Sequence, residues 1–459
     1  MKGRLPVFTS VLVANRGEIA VRIFRTLRAM GIETVAVHSD VEAHAPHVRA
    51  ADRAVEIGGG PVGESYLNVE AIIRAALMTG AQAIHPGYGL LSENSGFARA
   101  VEAAGLVFIG PPADAMDRMG SKIAARKEMS AAGVPVVPGS DDAVSTVAQA
   151  VTAAAEIGYP VAVKASGGGG GKGFRIARTP DEIAAAFEGA SSEGERFFAD
   201  PVVYLERYLE NPRHVEVQVL ADGFGTVIHL GERDCSVQRR HQKLIEESPA
   251  PAVTSDLREQ IGAVAVQAAR AVGYRSAGTV EGLLVAGEFY FLEMNTRIQV
   301  EHGVTEMVTG IDLIEEQVRI AAGEPLRHTQ ESVSLSGHSI ECRINAEDAA
   351  KGFIPRPGAI DRYREPWGEH IRVDSGVAEG SEVHRYYDPM VAKVIVWGSD
   401  REAATERMIA ALDDFEIGPI PTLVPFHRAL LQTPQWQRGE TCADLVGDRA
   451  WLRETTAHG

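Results

Sequence analysis

The sequence predicts a chain of mixed α/β and α+β class that is divided into more than one domain. Its 459 residues exceed the usual size of a single domain. In the N-terminal part, apolar segments with strand character alternate with segments of helical periodicity, which is typical of βαβ units and a parallel sheet. After Gly337, short strands separated by turn residues are followed by two helices, which predicts an α+β unit.

The composition is ordinary for a globular protein and argues against several classes of function. The formal net charge of −17 argues against a general surface for nucleic acid or for an anionic membrane. The three cysteines are far apart and offer neither a disulfide framework nor a zinc spacing. No apolar stretch is long enough to span a membrane, and the N-terminus lacks the layout of a signal peptide, so we expect a cytoplasmic protein.

The N-terminal residues predict a βαβ unit that is then extended. Residues 7–13 have the character of a short apolar strand, residues 19–30 have helical periodicity, and residues 34–38 form the next strand. The turn after the first strand lacks the GxGxxG fingerprint, so we assign no NAD. The same pattern continues with helices at 69–79 and 95–104 and strands at 83–85 and 107–109.

A glycine-rich loop, HPGYGLLSEN at 85–94, follows one of these strands. In an open α/β sheet, ligands bind at the carboxyl ends of the strands. The loop is therefore a candidate part of a binding site, and a plain turn is an equally good interpretation of the same residues.

The next segment predicts a helix, a linker and a small module of strands and helices. The helix at 119–132 carries Lys122, which can reach a phosphate, whereas we expect Arg126 and Lys127 on a solvated face. Residues 133–139, GVPVVPG, indicate a hinge-like linker. A helix is predicted at 144–157.

The run SGGGGGKG at 166–173 is the most glycine-rich stretch of the chain. Glycine lets backbone N–H groups approach phosphate oxygens closely. The run is not a Walker A loop, because Gly173 follows Lys172 where that motif has Ser or Thr. It lies between two predicted strands, so we predict a flexible flap over a nucleotide; a disordered linker is the alternative.

Residues 231–243, GERDCSVQRRHQK, are dense in charge and show little apolar periodicity. They predict either a surface loop or a part of an anion site in which their cations complement nearby carboxylates.

The stretch EMNTRIQVEH at 293–302 follows a predicted strand at 288–292 and gives the strongest site signal. If the chain stays extended, alternate side chains line one face. That face then presents Glu293, Asn295, Arg297, Gln299 and Glu301. Oxygen ligands suit Mg²⁺ and an arginine suits a second anion. We therefore predict a metal–phosphate site beside an anion site, in preference to a solvated edge strand.

A predicted hairpin supports the prediction of a metal site. The strand at 278–285 carries Glu281 and leads directly into the strand before Glu293. Antiparallel pairing would bring the two carboxylates close together, and such a pair is destabilising without a cation. Beyond Gly337, a strand at 338–345 carries Arg343. Helices are predicted at 401–415 and 425–432, and the terminal residues 453–459 have the character of a frayed end.

Several long motifs together resemble the biotin carboxylases, which are members of the ATP-grasp superfamily. The motifs are HPGYG at 85–89, the glycine run, ERDCS at 232–236, QRRHQK at 238–243, EMNTRIQVEH at 293–302 and ECRINAED at 341–348. The resemblance implies an ATP-grasp fold with a Rossmann-like domain at 1–118, an ATP-grasp domain at 119–336 with a mobile glycine-rich lid at about 136–208, and a C-terminal α+β domain at 337–452. It implies an ATP-dependent ligase that uses Mg²⁺ (or Mn²⁺) and bicarbonate to carboxylate biotin through carboxyphosphate.

The resemblance also implies roles for individual residues. For ATP it implies Lys122, Lys164, Gly168, Gly169, Gly170, Gly171, Glu206, Leu209, His214, His241, Glu281 and Glu293. For the metal it implies Glu281, Glu293 and Asn295, and for bicarbonate Lys243, Arg297, Gln299, Val300 and Glu301. The implied catalytic groups are Glu301 as general base with Lys243, Arg297 and Arg343, and the implied biotin contacts are Tyr88 and Arg343.

The sequence departs from the family pattern at few positions. Arg207 stands where lysine is frequent, Val280 where phenylalanine is frequent, and Gly303 where proline is frequent. The first can alter an adenine contact, because arginine and lysine are not equivalent donors. None of the three removes an implied catalytic group.

Residues 418–428, GPIPTLVPFHR, are similar to the α subunits of acyl-CoA carboxylases, which usually continue into a biotin carrier domain. The Ala-Met-Lys-Met sequence of that domain does not occur here. The resemblance therefore implies a biotin carrier protein, or a carrier domain outside a fragment, together with a homodimer and a carboxyltransferase subunit. The alternatives are a carboxylase of the pyruvate or urea type, another ATP-grasp ligase and a non-catalytic nucleotide-binding protein.

Overall fold

The computed structural model describes residues 7–140, 142–166, 173–198 and 200–456. Four residues predicted to bind phosphate lie outside the described residues, namely Gly168, Gly169, Gly170 and Gly171. None of the helices formed by the described residues combines the length and the apolar character that crossing a bilayer requires.

The N-terminal part folds around a five-stranded sheet in which every pairing is parallel, as predicted. Its strands are β1 Ser10–Val13, β2 Glu33–Ser39, β3 Arg53–Gly58, β4 Ala83–His85 and β5 Val107–Phe108, in the order β3-β2-β1-β4-β5. Its helices are α1 Gly17–Ala29, α2 Pro46–Ala50, α3 Val69–Thr79, α4 Ser95–Ala103 and α5 Ala113–Gly120. Val13 packs in one core with Ile23, and Leu12 packs in another with Ile72. Both faces of the sheet are therefore covered, which is why its strands are apolar runs in the sequence.

A small module with its own core follows. The helix α6 Lys122–Ala131 precedes the module and packs in a different core. The elements of the module are α7 Val147–Ile157, β6 Val161–Ala165, β7 Phe174–Ala177, α8 Ile183–Phe198 and β8 Val203–Arg207, with the antiparallel strand order β7-β6-β8. The predicted single helix at 119–132 is wrong. The chain breaks between α5 and α6 at Ser121, whose side chain caps α6 by accepting from the backbone N–H of Ala124. The helix predicted at 144–157 begins later, because Val144 forms a bridge with Val203.

An eight-stranded antiparallel sheet forms the centre of the molecule. Most of its strands, with their flanking helices, come next in the chain as β9 Arg213–Ala221, β10 Val227–Arg239, β11 Gln242–Ser248, α9 Ser255–Ala271, β12 Ser276–Val285, β13 Glu288–Asn295, α10 His302–Thr309, α11 Leu313–Ala321 and β14 His338–Asn345. The sheet order begins β13-β12-β9-β10-β11-β14 and ends with two strands of the C-terminal part.

Two sequence predictions are wrong in this sheet. Of the two interpretations of the charged segment 231–243, the surface loop is wrong, because the segment builds most of β10 and the start of β11, with only the turn Arg240–His241 exposed. Its buried charges, such as Arg233, pair with other groups inside the protein, so no apolar period marks it as buried strand. The extended chain predicted through Glu301 ends at Asn295 instead, and Glu301 is the N-cap residue of α10.

The C-terminal part completes the central sheet and adds a helical layer. Its strands are β15 Glu347–Asp348, β16 Ile354–Pro355, β17 Gly358–Ala359, β18 Arg362–Arg364, β19 Ile371–Ser375, β20 Glu382–Val383, β21 Met390–Gly398 and β22 Glu416–Gly418. Its helices are α12 Arg401–Asp414, α13 Val424–Leu431, α14 Pro434–Gln437, α15 Ala443–Gly447 and α16 Arg449–Thr456. The sheet ends β14-β21-β19, so it continues past the predicted boundary at 337. The frayed end predicted from 453 is wrong as far as Thr456, because α16 anchors Leu452 in the core.

Candidate active site

One large cavity, of about 1550 Å³, brings the predicted site residues together. Those among the described residues all line it, namely Tyr88, Lys122, Lys164, Glu206, Leu209, His214, His241, Lys243, Glu281, Glu293, Asn295, Arg297, Gln299, Val300, Glu301 and Arg343. The lining comes from the N-terminal loop after β4, the small module, the central sheet and the C-terminal part. Residues from distant parts of the chain therefore face the same space.

The hairpin of β12 and β13 sets the predicted metal ligands side by side. Glu281 pairs directly with Glu293 across the two strands, as predicted. Glu281 Oε1 accepts hydrogen bonds from Asn295 Nδ2 at 2.7 Å and from Gln299 Nε2 at 2.6 Å. Glu281 and Asn295 are thus in direct contact, whereas the carboxylate of Glu293 extends to Lys122 Nζ at 3.2 Å.

Lys243 is the electrostatic centre of the site. Its ammonium donates to Glu216 Oε2 at 2.5 Å, to Glu281 Oε1 at 2.9 Å and to Glu301 Oε1 at 2.7 Å. Burial alone would lower the pKa of Lys243, but these three carboxylates raise it well above its ordinary value. The lysine therefore stays charged, and its three donors hold strands β9, β11 and β12 and the start of α10 around one point.

Glu301 lies between two cations. Its other oxygen, Oε2, accepts from Arg343 Nη2 at 2.9 Å. Burial tends to raise the pKa of Glu301, but Lys243, Arg343 and Arg233 hold it well below the ordinary carboxyl range. The carboxylate is consequently ionised in this arrangement, and only 2% of its side chain is exposed.

Arg343 is fixed from behind by groups that the sequence did not single out. Its Nε donates to Glu246 Oε1 at 2.6 Å, and its backbone carbonyl contacts His427 Nε2 at 2.6 Å. Burial raises the pKa of Glu246 to about 7 despite the nearby guanidinium. Arg343 is thus held by two carboxylates, Glu246 and Glu301, with its guanidinium edge at the cavity.

Arg233 is the most important residue that sequence reasoning missed. It has no exposed surface, and it donates to Glu216 at 2.6 Å and to Gln299 Oε1 at 2.5 Å. Further donations go to Gln218, Thr279 and Thr305. The sequence signal that could have indicated Arg233 is the alternating sign of charge along Glu232, Arg233 and Asp234, but the same pattern is typical of an exposed surface.

The end of the cavity away from Arg343 carries two lysines on separate elements, Lys122 on α6 and Lys164 on β6. Lys164 donates to Glu206 Oε2, and Arg126 Nη1 donates to Glu206 Oε1 at 3.0 Å. The predicted solvated position of Arg126 is wrong, since this ion pair with β8 buries it, whereas Lys127 is half exposed beside Asp142. His214 Nε2 lies 2.7 Å from Glu281 Oε2 and so links this end to the metal ligands.

The N-terminal loop 85–94 contributes to the site, so its interpretation as a plain turn is wrong. Glu93 Oε2 accepts from Arg297 Nε at 3.0 Å, and Glu93 Oε1 accepts from the backbone N–H of Thr296 at 2.9 Å. The hydroxyl of Tyr88 donates to Glu18 on α1. The loop thereby positions Arg297 and one wall of the cavity.

The donor set fits a hard divalent cation. Glu281, Glu293 and Asn295 offer only oxygen ligands on one hairpin, and Mg²⁺ is bound by one or two carboxylates together with phosphate oxygens. The ammonium groups of Lys122 and Lys243 and the imidazole of His214 now lie near these oxygens. Among the histidine, cysteine and acidic side chains of the described residues, two further groups have ligand atoms close enough together to hold an ion, namely His214, Glu216 and Glu281, and Glu216, Cys235 and Glu301.

Comparisons with known proteins cover almost the whole chain. Residues 7–116 match the family described as biotin carboxylase, N-terminal domain; residues 121–329 match carbamoyl-phosphate synthase L chain, ATP binding domain; and residues 341–448 match biotin carboxylase C-terminal domain. A biotin carboxylase of Nostoc sp. is 52% identical over 440 residues, which are 96% of this chain and 98% of that protein. The chain belongs to the biotin carboxylase family. It is therefore an ATP-dependent ligase of the ATP-grasp type that carboxylates biotin.

Other members of the biotin carboxylase family share this extent of similarity. One component of the pyruvate carboxylase of Methanothermobacter thermautotrophicus is 51% identical over 442 residues, which are 96% of this chain and 90% of that protein. The biotin carboxylase domain dimer of Hydrogenobacter thermophilus 2-oxoglutarate carboxylase, solved with MgADP, ADP and bicarbonate, superposes with a TM-score of 0.91. It is 49% identical and the match covers 96% of this chain and 99% of that one. The ATP-grasp fold inferred from the motifs is thus confirmed.

Proposed function

We propose that this chain transfers a carboxyl group from bicarbonate to the biotin of a carrier protein in the cavity described above, with ATP as the driving reactant. The observation that carries the assignment of roles is the continuous arrangement Lys243–Glu301–Arg343. Nζ of Lys243 and Nη2 of Arg343 contact opposite oxygens of Glu301, at 2.7 and 2.9 Å. A bicarbonate site, a base and a biotin site can therefore adjoin one another without any movement of the central sheet.

The nucleotide belongs at the end of the cavity that carries Lys122 and Lys164. Both lysines now neutralise carboxylates, Glu293 and Glu206, and phosphate oxygens would compete for the same donors. Leu209 supplies apolar wall for the adenine beside Glu206. His214 and His241 line the cavity between this wall and Lys243, where ribose and phosphates would lie.

The cation is assigned to Glu281, Glu293 and Asn295. A Mg²⁺ ion held by these three residues would neutralise negative charge that develops during phosphoryl transfer. The residues themselves orient the hairpin. Asn295 Nδ2 donates to Glu281 Oε1, and Asn295 Oδ1, the oxygen that a cation would bind, accepts from Arg297 Nη2 at 2.7 Å.

Bicarbonate is assigned to Lys243, Arg297, Gln299 and the backbone at Val300. The carbonyl of Val300 is fixed by Lys393, a buried residue of β21. Glu301 takes the proton of bicarbonate while a bicarbonate oxygen attacks the γ-phosphorus and ADP leaves, which gives carboxyphosphate. An anion at Lys243 would compete with Glu301 for that ammonium and add negative charge, so the pKa of Glu301 rises and its carboxylate becomes a stronger base.

Biotin is assigned to the wall of Tyr88 and Arg343. Carboxyphosphate decomposes to CO₂ and phosphate, and the ureido nitrogen of biotin forms a bond to the CO₂ carbon. The phosphate released in this step takes the proton of the ureido nitrogen, negative charge develops on the ureido oxygen as that proton leaves, and a guanidinium at the cavity stabilises it. Glu246 and Glu301 fix this guanidinium in place before biotin arrives.

The partners implied are a biotin carboxyl carrier protein or domain and a carboxyltransferase, in the cytoplasm. A homodimer is proposed from the dimeric Hydrogenobacter relative, and Trp367, which is 94% exposed, is an apolar residue suited to such a contact. The proposed final acceptor is an acyl-CoA. Pyruvate is the second candidate, because the Methanothermobacter pyruvate carboxylase component is as similar as the other relatives.

The experiment is the release of ADP from MgATP with and without bicarbonate and free biotin. The proposal expects turnover to depend on bicarbonate and to increase with biotin, and ¹⁴C from labelled bicarbonate to appear in carboxybiotin. Turnover that neither compound stimulates would exclude it. Incorporation of label into an amine product would support the alternative ATP-grasp ligase. Addition of acetyl-CoA or pyruvate with matched carrier and carboxyltransferase then distinguishes the two acceptors.

A further inference from the structure

A second cavity adjoins the first and has no part in the reaction described above. Its volume is about 680 Å³, within the range of small-molecule sites. It is enclosed by the end of β10, the 3₁₀ turn Ala349–Lys351 with Phe353, and helices α15 and α16. Gln238, Arg240 and Ala443 line both cavities, so the two spaces share a wall.

The charge of this second cavity is opposite to that of the chain. Among the described residues, five cationic side chains line it and no acidic side chain does: Arg239, Arg240, Lys351, Arg449 and Arg453. The chain as a whole has a net charge of −17, so a cavity whose charged lining is entirely positive differs from the rest of the protein surface. Such a cluster attracts anions from solution.

Most of this charge is not neutralised by the protein. Lys351 pairs with Asp348 at 3.1 Å. Over the part of the chain that the structure describes, the four arginines form no ion pair with a carboxylate. Burial, and next the neighbouring Arg240, lower the pKa of Arg239, and the opposing effect of the Glu347 carboxylate is too small to offset them.

The arginines are held by structured elements. The guanidinium of Arg239 lies 4.7 Å from the centre of the Phe353 ring, a cation–π contact that fixes its plane. Arg239 pairs with Gln242, so Arg240 and His241 form a two-residue hairpin turn. Both have positive φ, +49° and +66°, which non-glycine residues adopt only when the surroundings require it. The turn separates the two cavities.

The opposite wall presents a matching pair. Arg449 and Arg453 are four residues apart on α16, so their side chains lie on the same face of the helix. Each wall of the cavity thus contributes two guanidinium groups. Guanidinium groups bind phosphate oxygens through paired hydrogen bonds, and each wall can serve one phosphoryl group.

We propose that the second cavity is a binding site for a small anion that carries two or more phosphoryl groups. One phosphoryl group is bound by Arg239 and Arg240, and another by Arg449 and Arg453. A single phosphate engages only one wall and binds more weakly. The site is separate from the nucleotide site, from which the Arg240–His241 turn divides it.

The test is equilibrium dialysis with labelled inorganic pyrophosphate at physiological ionic strength, with the catalytic cavity filled by saturating MgADP and bicarbonate. Binding of MgADP is measured first, so a failure of the proposed nucleotide site is seen separately. We expect one further equivalent of pyrophosphate to bind, and orthophosphate to bind at least about tenfold more weakly because it meets one arginine pair.

The variants are the double substitution Arg449→Gln with Arg453→Gln, and the single substitution Arg239→Gln. Each should weaken pyrophosphate binding by about tenfold or more, with the thermal transition and MgADP affinity unchanged. Arg49→Gln, on the exposed surface of α2, is the matched control and should bind as the unaltered protein does. No binding of pyrophosphate beyond the nucleotide site, equal affinity for orthophosphate, or full affinity in the double variant would each overturn the proposal.

Discussion

Nζ of Lys243 lies 2.7 Å from Oε1 of Glu301 in an ion pair that is almost completely removed from solvent. A base held this close to an ammonium is ionised but weak, because the cation holds its pKa well below the ordinary range. The same contact therefore stores Glu301 in the deprotonated form and suppresses proton uptake from water. In the proposed reaction, bicarbonate would take the ammonium and thereby raise the basicity of Glu301, so proton abstraction would follow the arrival of bicarbonate.

Glu301→Gln should abolish proton abstraction while it preserves the shape of the site. We expect kcat for bicarbonate-dependent ATP hydrolysis to fall by about 10²- to 10⁴-fold, the usual contribution of a positioned base. The KM for ATP should change little, because Lys243 keeps two carboxylate partners and Arg343 keeps Glu246. Steady-state kinetics measure both. Glu56→Gln, at an exposed position, is the control, and an equal loss of ATP affinity in Glu301→Gln would contradict the assigned role.

Arg233→Gln should destabilise the protein, because it leaves the buried carboxylate of Glu216 with one cation fewer. The expected decrease in the free energy of unfolding is about 3–5 kcal/mol, the cost of breaking a buried pair by removing one partner. Chemical denaturation monitored by circular dichroism measures it. Arg99→Gln, which removes an exposed ion pair with Asp117, should leave the free energy of unfolding nearly unchanged. Similar decreases in the free energy of unfolding of the two variants would mean that the buried ion pair stabilises the protein no more than an exposed one.

Glu93→Gln should weaken the hold on Arg297 without touching any ligand directly. The N–H···O contact between them is 3.0 Å and partly exposed. We expect the KM for bicarbonate to rise by about two- to fivefold, in line with a partly exposed ion pair, and the KM for ATP to stay constant. Glu102→Gln, on the outer side of α4, serves as the control. A rise in the KM for ATP with unchanged KM for bicarbonate would place Arg297 in a different role.

Two buried histidines, His427 and His47, should each lower the stability of the protein as the pH decreases from about 6.5 toward 4. Burial lowers the pKa of His427 to about 4, and burial likewise lowers that of His47 to about 4. In the unfolded chain these groups titrate near about 6.5. Below that value the unfolded state binds more protons than the folded state, so the stability that is complete above about pH 6.5 is lost as the pH falls toward 4.

His427→Gln tests this dependence at one position. Between about pH 6.5 and 4.5 each such histidine contributes a slope of up to about 1.4 kcal/mol per pH unit. The variant should therefore show a shallower decline of the free energy of unfolding with decreasing pH, measured by denaturation at a series of pH values. Gln can still donate to the carbonyl of Arg343, so packing is retained. An unchanged slope would show that His427 is already protonated or exposed.

The hairpin of β12 and β13 and the register of Glu281 against Glu293 were predicted because they depend on near neighbours in sequence. The N-terminal parallel sheet was predicted from the alternation of strand-like and helix-like segments. Many of the residues that line the cavity were predicted through the resemblance of long motifs to the biotin carboxylases. Roles of individual residues stay predictions until the variants are measured.

What could not be predicted depends on contacts between distant segments. The segment around Arg233 resembles surface because its charges are compensated by Glu216 and Gln299, which lie on other elements. Glu93 could not be assigned to the site for the same reason, because its partner Arg297 lies far away in the sequence and contacts it only in the folded protein. The prediction that the strand continues past Asn295 to Glu301 is also wrong, because an alternating polar pattern fits both a strand and an ordered loop that leads into a helix.

Strand β11 pairs with β14 through Glu246 opposite Glu341, which joins the C-terminal part to the central sheet by backbone hydrogen bonds. A chain that ended before β14 would leave one whole side of β11 without partners. Exposed strand edges recruit other chains and aggregate. A truncation that removes β14 should therefore expose this edge and favour aggregation. A fusion joined before β1 or after α16 leaves the pairing of β11 with β14 intact.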